Sequence, residues 1–125
     1  MIKTGYASDF KKGQPRPPNS GTVILITRSS PFKFNWLAYD EWQQVLSPQS
    51  KTLDRWLHSK KTEQDWKIYL IEFESQMKAS EPVAAINKLC QRVKNGETIT
   101  LICFCKPGEH CHRYIIKSLI ESNLK

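Results

Sequence analysis

The sequence predicts a small α/β protein: a three-layer sandwich around a mainly parallel sheet, with strands near 2–7, 22–28 and 98–105. Three observations point there. Thr22–Thr27 (TVILIT) and Thr98–Cys105 (TITLICFC) are continuously apolar and rich in β-branched residues, as strands covered on both faces are. Between them, apolar residues recur at helical spacing. The order strand, strand, helices, strand, helix suits parallel pairing through crossovers. At 125 residues the chain has the size of one domain, 1–125.

The elements follow in order. Ile2–Ala7 (IKTGYA) reads as a short strand. Lys11–Gly21 reads as a loop, because Pro15, Pro17 and Pro18 stand between Gly13 and Gly21. The TVILIT strand ends before Pro31, which cannot continue a central strand. Leu37, Asp40, Glu41 and Trp42 suggest a short amphipathic helix that stops before Pro48. Ser47-Pro48 suggests an N-cap with proline at the first helical position, opening a helix that carries Leu53, Trp56 and Leu57. Thr62 with Asp65 forms a capping-box pattern ahead of Trp66, Leu70, Phe73 and Met77. Ser80 suits the cap of a helix striped by Val83, Ile86, Leu89, Cys90 and Val93, and Asn95-Gly96 suits its left-handed stop. Cys90 lies in that stripe and reads as core. The last helix carries Ile115, Ile116, Leu119 and Ile120 inward.

Composition narrows the function classes. No apolar run approaches the ~20 residues that span a bilayer. The N-terminal MIKTGYASDFKKG lacks the apolar middle of a signal peptide, so the expectation is a soluble, cytoplasmic protein. Four unevenly spaced cysteines do not suggest a secreted disulfide framework. The net charge of +7 is uneven: residues 1–61 hold ten Lys/Arg against four Asp/Glu, and residues 62–125 nine against eight. That excess favours an anionic partner, either nucleic acid or a phosphorylated small molecule; the plain alternative is a basic, soluble surface.

Chemistry concentrates in Ile102–Arg113, ICFCKPGEHCHR, which holds three of the four cysteines and two of the three histidines. Strand alternation puts Ile99, Leu101, Cys103 and Cys105 on one face and Ile102 and Phe104 on the other. Cys111, His112 and Arg113 fall at the start of the next helix. Free backbone N–H groups there favour anions and would lower the pKa of Cys111. Arg113 offers a two-pronged grip on phosphate or carboxylate.

Three other readings of the stretch compete. Cys103, Cys105, Cys111 and His112 are all legal zinc ligands. Neighbours on a helix diverge by roughly 100°, however, so Cys111 and His112 are not expected to converge on one ion, and no metal or cofactor is assigned. Cys103 and Cys105 lie ~6.7 Å apart in an extended strand, too far for an easy disulfide, whereas Cys105 can reach Cys111 across the turn. Plain packing can account for Cys103 and Cys111 but leaves Arg113 unexplained.

RSSPFKFN (Arg28–Asn35) and LICFCKPGEHCHR (Leu101–Arg113) together resemble the bacterial and archaeal family called domain of unknown function 488. The likeness runs over most of residues 2–121, and the second block is the specific one. It implies an α/β fold and carries no established reaction. It also implies a site made of Arg28, Cys103, Cys111, His112 and Arg113. Where the family commonly has an acid two positions after the strand cysteine, this chain has Cys105; where many members have aspartate two positions before the strand-end arginine, it has Ile26. His112, Asp9 and Glu109 remain as candidates for a general base.

The expected function is therefore an enzyme-like domain for a phosphate-bearing or otherwise anionic substrate, related to nucleotides or nucleic acid. Arg28 and Arg113 would hold the anion, Cys111 would be the nucleophile with His112 as its proton partner, and Cys103 would support the pocket floor. The alternatives are a cysteine metal or redox site, or a non-catalytic nucleic-acid-binding module that stacks bases on aromatics among Tyr6, Phe10, Phe32, Phe34 and Trp36.

Overall fold

A computed structural model describes all of residues 1–125. Four parallel strands, β1 (Ile2–Tyr6), β2 (Thr22–Leu25), β3 (Glu41–Trp42) and β4 (Ile99–Cys103), form one sheet in the order β1-β4-β2-β3. The helices are α1 (Ser50–His58), α2 (Glu63–Gln76), α3 (Ser80–Lys94) and α4 (His112–Asn123). The α/β class with a parallel sheet is as expected. β4 pairs on both sides, with Tyr6 opposite Cys103 and Leu25 opposite Ile102. All five of its residues are buried, which explains its unbroken apolar sequence.

The two faces of the sheet are covered differently. Ile24, Ile26, Ile99 and Leu101 pack against Phe73, Ile86, Leu89, Ile116 and Ile120 of the helices. Val23, Leu25 and Ile102 pack against Ala7, Phe10 and Leu37, which belong to non-helical connections. Those connections, 7–21 and 26–40, carry β1 to β2 and β2 to β3. The third layer is thus irregular chain with short 3₁₀ turns at Ala7–Asp9 and Pro31–Lys33.

Local signals explain most boundaries. Thr62 and Asp65 make a reciprocal capping box at the start of α2. Gly96, at φ 96°, ends α3 as the Asn95-Gly96 pair requires. Gly21, at φ 63°, lies so close to Thr98 that an added Cβ would meet its carbonyl oxygen at 2.1 Å.

Three boundaries differ from the sequence reading. Residues 37–46 are not a helix: Glu41–Trp42 pairs with β2, and Gln44–Leu46 is a 3₁₀ turn. Asp40 N–H donates to Val23 O, Val23 N–H donates back to the Asp40 carboxylate, and Gln43 N–H donates to Leu25 O. Sheet pairing from a distant strand outweighs the local helical pattern. Ser47 does not cap α1, which starts at Ser50 after Gln49; its hydroxyl donates to Gln44 O instead. Ser80 is the first residue of α3 rather than its cap.

Candidate functional site

β2 and β4 run parallel, so their carboxyl ends lie at one edge of the sheet, where open α/β sheets bind ligands. A cavity of about 590 Å³ sits there. Cys103, Cys111 and His112 contribute to its wall, as do Arg28, Trp56 and Tyr69. Cys103 is the last residue of β4 and Cys111 the residue just before α4, so the seven-residue turn between them folds the two sulfurs together. Sγ of Cys103 and Sγ of Cys111 are 2.7 Å apart.

Arg113 is 1% exposed and lies behind the cysteines rather than in the cavity wall. Its Nη1 donates to Cys103 Sγ at 3.0 Å and to Cys105 O at 2.7 Å, and its Nη2 donates to the Tyr114 hydroxyl at 2.9 Å. Nε is buried with no partner. No carboxylate forms an ion pair with it. The expectation that Arg113 grips a substrate anion therefore meets a different geometry: its charge faces a thiol of its own chain.

The thiols divide accordingly. Hydrogen bonds from Cys105 and Cys111, with the charge of Arg113 behind them, hold the Cys103 thiol far below its usual pKa. Cys111 moves the other way, because its hydrogen bonds to Cys103 and Cys105 favour the protonated form and burial adds to this. Cys105 is pushed up to about 11, first by its hydrogen bond to Cys103. The sequence favours a thiolate at Cys111; the geometry favours one at Cys103 instead, since Arg113 Nη1 is 3.0 Å from Cys103 Sγ and 3.9 Å from Cys111 Sγ. These shifts favour Cys111 as the donor of the pair.

His112 is fixed from behind. Its Nε2 donates to Ile26 O, which can only accept, so Nδ1 carries the lone pair and faces Cys111 Sγ at 3.6 Å. Burial lowers its pKa and keeps the ring neutral. The Cys103, Cys111 and His112 donor atoms all lie within 4.8 Å of one another. The expected divergence of Cys111 and His112 thus fails, because Cys111 is not yet helical: at φ −156° and ψ 145° it is extended, and the helical rotation does not apply. A cation among these donors would lie against the guanidinium that already touches Cys103.

Arg28 lines the cavity. Its Nε donates to Pro48 O at 2.9 Å and its Nη2 to Ser47 O at 3.3 Å, leaving Nη1 free. Of the base candidates, Glu109 lines the cavity but accepts from Lys106 N–H, and Asp9 lies elsewhere.

Several wall residues were not singled out by sequence. Tyr69 is 4% exposed, and its hydroxyl has no protein partner. Burial first, with the neighbouring cysteines adding to it, raises its pKa and keeps it a donor. His110 stacks on Trp66 at 4.3 Å, and Trp66 stacks on Tyr69 at 4.7 Å. Lys61, at the cavity, holds a positive φ of 55°. The run Trp66, Tyr69, Phe73 at helical spacing was the available signal, and it reads as core from sequence alone.

A family model, DUF488-N3a, described as the active DUF488-N3 subclade, matches residues 8–124. The chain belongs to the DUF488 family. Both blocks that carried the resemblance fall inside this match, and in this DUF488 protein they meet at one cavity: Arg28 from the first, Cys103, Cys111 and His112 from the second. No curated protein and no solved structure matches it.

Proposed function

We propose that this chain binds a phosphate-bearing or otherwise anionic substrate of nucleotide type in the cavity and presents the Cys103 sulfur to it as a thiolate. The reading rests on Arg113. A buried guanidinium with no carboxylate partner is costly, and of the two ionisable side chains it donates to, the Tyr114 hydroxyl at 2.9 Å and Cys103 Sγ at 3.0 Å, a thiol gives up its proton more readily than a phenol. An ionised Cys103 relieves that cost and makes the sulfur a nucleophile at the cavity floor.

The other roles follow from position. Arg28, with its free Nη1, and Lys61 supply positive charge for a phosphate, and the Tyr69 hydroxyl supplies a hydrogen bond. Trp56, Tyr69 and Phe34 offer ring faces and edges to a planar base. When the Cys103 sulfur bonds to an electrophilic centre, the bond from that centre to its leaving group breaks. The leaving group departs with the electron pair and takes the Cys111 proton. The negative charge then resides on Cys111, 3.9 Å from the same guanidinium. The description of the matched subclade as active supports an enzymatic reading.

The test is alkylation by iodoacetamide near neutral pH, mapped residue by residue by mass spectrometry. Cys103 is expected to react well ahead of Cys90, whose thiol burial pushes up, and a nucleoside monophosphate is expected to slow it. Cys103 reacting no faster than Cys90, or indifferent to phosphate and nucleotide, overturns the reading.

A further inference from the structure

We propose that the aromatic patch beside the cavity binds a single-stranded nucleic acid, so that the nucleotide entering the cavity belongs to a strand rather than being free. This rests on the nucleotide reading of the cavity and extends it to the substrate's class.

Phe34, Trp36 and Phe104 form one cluster: Phe34 and Phe104 are 4.7 Å apart between ring centres, and Trp36 lies 6.3 Å from each, edge-on. Trp36 is 38% exposed, and nearby in sequence Phe32 is 83% exposed. Phe34 and Phe104 also line the cavity, so the patch and the cavity share a wall. Lysines frame it. Lys33 Nζ stands 5.7 Å from the Phe34 ring centre. Lys12 N–H donates to Trp36 O, and Lys11 bridges Leu37, which places both lysines on the chain segment alongside Trp36. None of the three lysines is in an ion pair, whereas Arg16, Arg55 and Arg92 are paired with carboxylates.

Exposed ring faces among unpaired cations match the chemistry of unstacked bases on a phosphate backbone. A duplex hides its base faces, and an acidic peptide offers charge without rings to stack. A base delivered into an enclosed cavity must also leave its stack, which costs least in a strand already unpaired. Three lysines with Arg28 would give a fall in log affinity of about 2–3 per tenfold rise in salt.

The test is fluorescence anisotropy with labelled oligo-dT and oligo-U, a blunt duplex of equal length and a polyglutamate peptide, at two salt concentrations. Single strands are expected to bind at least tenfold more tightly than the duplex or the peptide. Phe32→Ala and Trp36→Ala are each expected to weaken strand binding about tenfold. Neither is expected to alter protection of Cys103 from iodoacetamide by a nucleoside monophosphate. Lys33→Glu serves as a third variant, and thermal melts confirm folding. Equal binding of strand, duplex and peptide overturns the inference, as does strand binding indifferent to all three substitutions. If a mononucleotide protects Cys103 and a strand binds no more tightly than the mononucleotide, the inference falls and the cavity reading stands. If neither protects Cys103, both fall.

Discussion

Arg113→Met removes the cation that touches the Cys103 sulfur and leaves a buried thiol without its charge partner. Breaking one side of a buried charge pair costs about 3–5 kcal/mol. Adding Cys103→Val should recover much of that loss, since neither charge then remains; urea denaturation of the two single variants and the double variant measures it, and simple additivity would refute the pairing. The pH dependence follows with its sign. Cys103 has a folded pKa below its unfolded value of about 8.5, so its contribution is full above that value and is lost as pH falls. Cys111 has a folded pKa above its unfolded value, so its contribution is full below about 8.5 and is lost as pH rises. Stability from the pair should climb from pH 6 to near 8.5 and then fall, and Cys103→Val should flatten the climb. Which of the two sulfurs the guanidinium favours as a thiolate is not legible in the sequence, because it turns on Arg113 lying 3.0 Å from one and 3.9 Å from the other. That cysteine, histidine and arginine lie together is legible, from their crowding into one strand–turn–helix.

At the scale of the element, chain direction depends on two glycines for different reasons. Gly21→Ala puts a Cβ into the Thr98 carbonyl and forces an alanine to positive φ at the entrance to β2. Gly96→Ala meets open space and carries only the backbone cost, about 1–2 kcal/mol. Gly21→Ala should therefore destabilise clearly more than Gly96→Ala, and thermal unfolding of the two variants side by side checks this. The Gly96 stop and the Thr62–Asp65 box were readable because each is a local code whose residues are close in sequence. β3 was not. Its two residues are a strand only because β2 lies beside them, and Asp40 grips Val23 from 17 positions away. The pattern of Leu37 to Trp42 fits a helix locally, and nothing within it records the distant partner.

For the molecule as a whole, the parallel sheet explains why blocks far apart in sequence form one site. Strands that run the same way deliver their carboxyl ends to the same edge, so Arg28 and Cys103 meet there. The charge excess of residues 1–61 was legible, but its distribution was not. Arg16, Arg55 and Arg92 are tied to Asp40, Glu72, and Glu41 with Glu97, respectively. No lysine is in an ion pair; of these free cations Lys11, Lys12 and Lys33 stand beside the aromatic patch, and Lys61, with Arg28, at the cavity. These five cations act together on an anion that approaches the cavity, within a chain whose net charge is +7.

His110 lies on the turn that joins the two cysteines, and it is flat against Trp66, at 14° between planes, with Trp56 edge-on at 6.1 Å. Indole emission responds to what its ring touches, so these contacts give the turn an optical signature. A ligand that lifts His110 off Trp66 should change tryptophan emission as the cavity fills. Trp66→Phe combined with Trp56→Phe, the indole that also lines the cavity, should remove most of that change. A nucleotide titration read at the tryptophan band would then follow the turn's movement in solution without any attached dye.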